Sequence, residues 1–142
     1  MATVTAELTS GTAVTLSDGR HRWLADEPPG AGGTDTGPTP YELLLGALAA
    51  CTCVTLSLYC RHKGWALKAV SVRLSHDRVH AKDCEDCDKD DTGFIDRVTS
   101  DVHVAGDFDA DQRKRLGEVA VRCPVHKTLA KGVKFADSVR FA

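Results

Sequence analysis

Residues 41–60 read YELLLGALAACTCVTLSLYC, and no charged side chain occurs in this stretch after Glu42. Thr39 and Pro40 just ahead of it are typical of a helix start, with Thr39 as the N-cap and Glu42 completing a capping box. A helix that is apolar on every side is usually buried. Because small and hydroxyl side chains make the stretch only mildly hydrophobic, it predicts a central core helix rather than a membrane span.

The predicted helix is too long for one small chain to cover. A helix of about 24 residues is about 36 Å long, close to the width of a small domain. The chain has 142 residues, which fits a single domain over residues 1–142. We therefore expect a homodimer in which each subunit covers the long helix of the other.

Charge and cysteine content exclude several classes of protein. The net charge is −2, and lysines and arginines form no basic stripe, which argues against nucleic acid as a partner. The first residues, MATVTAELTS, lack the basic and apolar regions of a signal peptide, so we expect a cytoplasmic protein that does not act at a membrane. In that compartment the six cysteines are expected to serve as thiols or metal ligands rather than as a disulfide framework.

Alternating apolar residues and turn signals organise the rest of the chain. A Pro/Gly-rich loop covers residues 28–40, and a charged loop covers residues 76–92. The remaining elements are predicted as strands at residues 3–8, 13–16, 20–25, 65–75, 95–104 and 133–141, and helices at residues 109–122 and 124–130. This order predicts an α+β sandwich rather than repeated βαβ units.

Four of the cysteines lie on or next to predicted helices. Cys51 and Cys53 point about 200° apart on the long helix, and free cysteines such as these and Cys60 often pack simply as small apolar residues. Cys123 differs because Pro124 follows it, which predicts a helix N-terminus at the thiol. Together with the neighbouring Arg122, this position favours the reactive thiolate form of Cys123.

The segment HAKDCEDC places His80 near Cys84 and Cys87 with a spacing similar to that of zinc ligands. This set supplies three ligands, and a fourth would come from Asp86, Asp88 or His76. Redox disulfide formation between the two cysteines and an inert loop are the alternatives. The residues leave these three interpretations open.

Two motifs resemble the OsmC/Ohr family of osmotically inducible and organic hydroperoxide resistance proteins. They are GPTPYELLLGALAAC at residues 37–51 and RCPVHKTL at residues 122–129. The order of strands, Pro/Gly loop, long helix and a final Cys-Pro is similar along nearly the whole chain. The resemblance implies the OsmC-like fold, an intertwined homodimer with long central helices packed between β-sheets.

The same resemblance implies a thiol-dependent peroxidase that reduces organic hydroperoxides in oxidative stress defence. Cys51 would be the peroxidatic cysteine, and Cys123 the resolving cysteine that forms a disulfide with it. An external dithiol would then reduce this disulfide, and catalysis would require no cofactor. Local electrostatics instead favour Cys123 as the more reactive thiol, so the two arguments differ on which cysteine attacks.

The groups that would activate Cys51 depart from the family pattern. Well-studied members use a glutamate directly after the motif proline, where this chain has Tyr41, and an arginine from the N-terminal strands, which is missing at residues 10–12. Arg22 is one substitute, with Arg20 and His21 beside it, and His126 is a further candidate base. Tyr41 is a candidate for activation or substrate binding.

These departures keep a second function open. A non-catalytic dimeric OsmC-like protein would bind an apolar ligand at its interface, with zinc or a redox pair in the CxxC loop. General disulfide exchange through Cys84 and Cys87 is a third, weaker interpretation.

Overall fold

The computed structural model of the chain describes residues 1–85 and 87–142. The chain forms two compact units, Met1–Gly46 and Ala47–Ala142. The helices are α1 Pro40–Lys63, α2 Ala110–Ala120 and α3 Pro124–Lys131, and the strands are β1 Thr5–Glu7, β2 Val14–Ser17, β3 Arg22–Ala25, β4 Leu67–His80 and β5 Phe94–Gly106. The α+β class predicted from the sequence is confirmed.

The first unit is built on an antiparallel sheet of three short strands in the order β1-β2-β3. The connections turn at glycines with positive φ, Gly11 at +59° and Gly19 at +91°, as the turn signals in the sequence predict. Asp18 stabilises the second turn because its carboxylate accepts hydrogen bonds from the backbone N–H groups of Arg20 and His21. The strands were predicted at these positions; β1 and β3 are shorter than predicted, and β2 has the predicted length but begins one residue later.

Helix α1 begins as the sequence predicts. Thr39 accepts a hydrogen bond from the Glu42 backbone N–H, and the Glu42 carboxylate accepts one from the Thr39 N–H, which is the capping box. The helix is long and apolar enough to cross a membrane, and 22% of its most apolar window is buried within the chain. The buried residues recur every fourth position as one stripe, Leu48, Thr52, Leu56 and Cys60. The core-helix prediction therefore holds for one face of α1.

The second unit contains a long antiparallel ribbon of β4 and β5. β4 continues to His80, five residues beyond the predicted end at residue 75, because its polar extension pairs with β5. Arg97 donates two hydrogen bonds to Asp77, at 3.1 and 2.7 Å, and lowers the pKa of that carboxyl. Residues 76–80 are polar and charged, which is typical of a loop. Cross-strand ion pairs such as the one between Arg97 and Asp77 stabilise them as part of β4.

The core of the second unit packs α1 against α2 and the ribbon. Its buried residues are Leu56, Cys60, Phe108 and Leu116. The Trp65 ring contacts the Phe108 ring on one side, with centroids 6.5 Å apart. Fully burying a leucine or phenylalanine side chain contributes about 1.5–3 kcal/mol, so this cluster fixes how the two helices sit on the ribbon. Burial also raises the pKa of the Cys60 thiol, which suits a packing role.

Two capped helices follow the ribbon. Asp109 caps α2 through a reciprocal capping box with Gln112. Cys123 is the N-cap of α3, directly ahead of Pro124. Both helices and the break between them were predicted from the sequence and are confirmed.

The predicted strand at residues 133–141 is wrong for the single chain. Residues 132–142 form no helix or strand, and Phe135 and Phe141 are 81% and 93% exposed. The alternation that suggested a strand is present, but no strand of the described chain pairs with it. A strand needs a neighbour for its backbone hydrogen bonds, so the pattern alone does not form one.

Candidate active site

Cys123 is held at the start of α3 with no solvent exposure. Its sulfur accepts a hydrogen bond from the backbone N–H of His126 at 3.3 Å. A second donor comes from α1, where Thr52 Oγ1 lies 3.7 Å from Cys123 Sγ. The predicted helix N-terminus is therefore confirmed, and the sulfur has one donor from its own helix and one from α1.

Thr52 links the two helices that carry the predicted catalytic cysteines. Its hydroxyl also lies 3.1 Å from the Leu48 carbonyl oxygen, which accepts its hydrogen bond. A hydroxyl has a single hydrogen, so Thr52 donates mainly to Leu48 or to Cys123 at one time. Negative charge on the sulfur favours the second arrangement, because bonds to charged acceptors are stronger. Sequence analysis missed Thr52, although it lies in the buried i, i+4 stripe of α1 directly after Cys51.

An apolar cavity of about 250 Å³ lies beside this contact. Thr52 and His126 provide polar groups, and the other lining residues are Leu48, Leu74, Val98, Ser100, Ala120, Val121, Leu129 and Ala130. Neither Cys51 nor Cys123 is among these lining residues. The cavity can hold a small apolar molecule against the helix face next to Cys51.

Cys51 is half-buried in α1, one position before Thr52. Its Cα is about 3.8 Å from that of Thr52, the residue that contacts Cys123, and its side chain points about 100° away from that of Thr52 around the helix. It is a free thiol, as are Cys53, Cys60 and Cys123. The pairing of Cys51 with Cys123 as a disulfide remains a prediction.

The three candidate activating residues fall in different parts of the chain. His126 is in the second unit, where its side chain lines the cavity while its backbone N–H binds Cys123. Arg22, in β3, and Tyr41, in the first turn of α1, belong to the first unit. Both side chains are exposed. The structure places His126 beside Cys123.

The CxxC loop contains a disulfide between Cys84 and Cys87, with Cα atoms 5.5 Å apart. His80 caps the short 3₁₀ turn Ala81–Asp83, where its Nδ1 accepts a hydrogen bond from the Lys82 N–H at 3.2 Å. Within residues 1–85 and 87–142, no group of three or more His, Cys, Asp or Glu side chains is arranged to hold a metal ion. Zinc at His80, Cys84 and Cys87 stays a prediction that would require the reduced thiols.

Of the proposed fourth zinc ligands, His76 is paired with another side chain, and Asp86 lies outside the described part of the chain. His76 contacts Asp96, with Nε2 and Oδ1 2.9 Å apart. Asp88 takes part in the loop through its backbone N–H, which donates to the Asp91 carboxylate at 3.0 Å. Asp86 is outside the described residues.

A buried carboxylate in the first unit organises the Pro/Gly loop. Asp26 is 2% exposed and accepts hydrogen bonds from the hydroxyls of Thr12, Thr34 and Thr36 at 2.6, 2.7 and 2.7 Å. These bonds hold the pKa of Asp26 well below its ordinary value, and the bond from Thr12 has the largest effect. The backbone of the loop turns closely around them, since a Cβ added to Gly33 would collide with the Glu27 backbone. No sequence pattern indicates this cluster, because its members are scattered along the chain.

The OsmC-like protein family matches residues 33–136, which include the second part of the Pro/Gly loop, α1, the ribbon and both Cys123 and α3. This chain belongs to the OsmC-like family. The resemblance of the two motifs is therefore confirmed. The family assignment accounts for the order of the elements; the roles of individual cysteines in this OsmC-like protein are a separate question.

Solved structures share the fold of this OsmC-like protein. An OsmC-like protein from Mycoplasma pneumoniae has a TM-score of 0.70 at 20% identity, with 92% of this chain and 87% of that chain covered. The organic hydroperoxide resistance protein OhrB of Bacillus subtilis has a TM-score of 0.58 at 25% identity, with 89% and 88% covered. A putative organic hydroperoxide resistance protein of Vibrio cholerae, which has captopril in one of its active sites, has a TM-score of 0.62 at 23% identity, with 89% and 82% covered. No curated protein matches the sequence significantly.

Proposed function

We propose that this OsmC-like protein is a thiol peroxidase that reduces organic hydroperoxides through Cys51 and Cys123. The observation that supports it most is the 3.7 Å contact between Thr52 and the Cys123 sulfur, beside an apolar cavity of about 250 Å³. This contact places Thr52, the neighbour of Cys51, against Cys123. The cavity beside it is suited to the alkyl group of an organic hydroperoxide. Family membership and the neighbours named as hydroperoxide resistance proteins point in the same direction.

The proposed reaction has two thiol steps. The Cys51 thiolate attacks the distal peroxide oxygen, the O–O bond breaks, and the alkoxide takes a proton and leaves as the alcohol. Cys51 is then a sulfenic acid. The Cys123 sulfur attacks the Cys51 sulfur, hydroxide leaves and is protonated to water, and a disulfide forms. An external dithiol returns both cysteines to thiols by exchange.

Residues of the second unit serve these steps. The cavity holds the alkyl part of the hydroperoxide and excludes water, which favours organic peroxides over hydrogen peroxide. The Thr52 hydroxyl and the His126 N–H stabilise negative charge on Cys123 as it becomes the nucleophile. His126 also lines the cavity, where its imidazole is placed to protonate the leaving alkoxide.

The working form in this proposal is a cytoplasmic homodimer. Val54 and Leu58 on α1 are 55% and 52% exposed in the single chain, on the side away from the stripe Leu48, Thr52, Leu56 and Cys60. The alternating residues of the segment 133–141 are exposed as well. A second copy of the chain would cover both apolar surfaces, and its segment would gain the strand partner that is missing here.

Turnover measurements with cysteine variants test the proposal. With dithiothreitol as reductant and cumene hydroperoxide as substrate, Cys51→Ser should abolish turnover, and Cys123→Ser should slow it strongly. Cys53→Ser is the matched control, because Cys53 is also a half-buried free thiol of α1, and it should retain activity. Undiminished turnover by Cys51→Ser would reject the proposal.

A non-catalytic binding protein is the second candidate, and two departures in the sequence favour it. Tyr41 stands directly after Pro40, where the resemblance leads us to expect a glutamate, and residues 10–12 contain no arginine. The apolar cavity would then hold a ligand without chemistry. Tight binding of an apolar probe together with no peroxide turnover in the reduced protein would support this alternative.

A further inference from the structure

The Cys84–Cys87 disulfide is not used by the mechanism above. Among the described residues it is the one oxidised pair, whereas Cys51 and Cys123 are free. It lies in the connection between β4 and β5, after the 3₁₀ turn Ala81–Asp83. Both of its cysteines are half-buried, so a thiol in solution can reach them. The Cys123 sulfur, by contrast, has no solvent exposure.

Two cavities connect this disulfide to the predicted peroxidase site. Cys84 and Cys87 line a cavity of about 490 Å³ together with part of β5, including Val98 and Ser100. Val98 and Ser100 also line the apolar cavity that Thr52 borders. Val98 and Ser100 therefore border both cavities, so the cavity at the disulfide adjoins the apolar cavity beside Thr52.

The loop that carries the disulfide is suited to move. It is attached to the ribbon by the hydrogen bond from the Ala81 N–H to the Gly93 carbonyl at 2.8 Å. Beyond this bond its residues are largely exposed, and among the described residues 81–93 none is fully buried. Exposed loops with few packed apolar contacts open at a low cost in free energy. The two cysteines can therefore approach the cavity without unfolding the ribbon.

We propose that Cys84 and Cys87 form a second redox couple, which reduces the Cys51–Cys123 disulfide within the same protein. This inference rests on the proposed peroxidase function. A thiolate from the Cys84/Cys87 pair attacks the Cys51–Cys123 disulfide and forms a mixed disulfide, and one thiolate of the peroxidase pair leaves. The second thiol of the loop resolves the mixed disulfide. Two electrons pass to Cys51 and Cys123, and the Cys84–Cys87 disulfide is the product.

Transfer from the loop would leave Cys84 and Cys87 joined and Cys51 and Cys123 as free thiols, which is the arrangement of these cysteines in the structure. An external dithiol then reduces the half-exposed loop disulfide and does not need to enter the buried site. The loop would thus be the entry point for reducing equivalents.

Counting peroxide equivalents without any reductant tests this inference. The protein is fully reduced, freed of reductant and titrated anaerobically with cumene hydroperoxide. The wild-type chain should consume two equivalents and end with both the Cys51–Cys123 and Cys84–Cys87 disulfides. The double variant Cys84→Ser/Cys87→Ser should consume one equivalent, and the control Cys53→Ser should consume two. Mass spectrometry of alkylated peptides identifies the disulfides and checks that no sulfinic acid has formed.

The outcomes separate the relay from the peroxidase. If wild type and the double variant both consume one equivalent, and Cys84 and Cys87 remain open to alkylation, the relay is rejected while the peroxidase stands. If neither protein consumes peroxide, the peroxidase itself is rejected, and the relay with it. The disulfide present after the first equivalent tests the direction of transfer. In the wild type the relay predicts a Cys84–Cys87 disulfide with Cys51 and Cys123 returned to thiols, whereas a Cys51–Cys123 disulfide that persists beside reduced Cys84 and Cys87 would contradict it.

Discussion

The hydroxyl of Thr52 lies 3.7 Å from the sulfur of Cys123, across 71 residues of sequence. This contact joins the middle of α1 to the N-cap of α3. Thr52 directly follows Cys51, so the contact lies one residue along α1 from the proposed peroxidatic cysteine. It also identifies a side chain whose hydrogen bond depends on the charge of the Cys123 sulfur.

Replacing Thr52 with valine should impair resolution. Valine keeps the shape of threonine but has no hydroxyl, so the Cys123 sulfur loses one donor. Hydrogen bonds to charged groups contribute about 1.5–3 kcal/mol, and the lower end of this range corresponds to about a tenfold slower formation of the disulfide. Stopped-flow measurement of the step after peroxide attack checks this, and Thr52→Ser, which keeps the hydroxyl, should remain near the wild-type rate. Equal rates for valine and serine would show that the hydroxyl has no role.

Narrowing the apolar cavity should change substrate preference. Ala130 lines the cavity at an exposed position, so Ala130→Phe can fill space without disturbing the core. We expect KM to rise about tenfold for cumene hydroperoxide, the size of effect that a few buried methylene groups have, and to change little for hydrogen peroxide. Steady-state kinetics with both peroxides measures this. A parallel change for both would indicate that the cavity does not hold the alkyl group.

The Asp26 cluster should stabilise the Pro/Gly loop. Asp26→Asn replaces an acceptor by an amide that cannot satisfy all three threonine hydroxyls, so the melting temperature should fall by about 5 °C or more. Asp35→Asn is the matched control on the same loop, because asparagine tolerates the positive φ of +54° found there. Differential scanning calorimetry compares the two. Equal melting temperatures would show that the cluster does not contribute to stability.

The same cluster predicts a pH dependence. The pKa of Asp26 is lower in the folded protein than its ordinary value of 3.8, so its contribution to the free energy of unfolding is complete above that value. The contribution is lost as pH falls below 3.8 towards the folded pKa. In urea unfolding between pH 7 and pH 3, the stability difference between wild type and Asp26→Asn should be constant at first and shrink only below about pH 4. A difference that shrinks between pH 7 and pH 5 would contradict the assignment.

The exposed side of α1 should be a subunit interface. Leu58→Lys places a charge on that side and should convert the dimer to a monomer, because an unpaired buried charge costs several kcal/mol. His62→Lys, in the exposed last turn of the same helix, should leave the dimer intact. Sedimentation velocity gives both oligomeric states. A monomeric wild-type protein would exclude the interface.

Local sequence signals predicted most of the fold. The capping box at Thr39, the start of α2 at Asp109 and the Cys123–Pro124 break appear where the sequence places them, because each depends on neighbouring residues. The end of β4 and the segment 133–141 were misjudged, since a strand depends on its pairing partner. Thr52 and Asp26 were missed for a related reason. Their partners are distant in sequence, and only the fold brings them together.

Disulfide mapping after a single turnover tests the central claim most directly. The reduced Cys84→Ser/Cys87→Ser variant, in which the loop cannot return electrons to the site, is mixed with one equivalent of cumene hydroperoxide, quenched with an alkylating reagent at increasing times and analysed by mass spectrometry. The account predicts that Cys51 is the first thiol lost and that a Cys51–Cys123 disulfide follows. A Cys51 that stays fully alkylatable while the peroxide is consumed would contradict it.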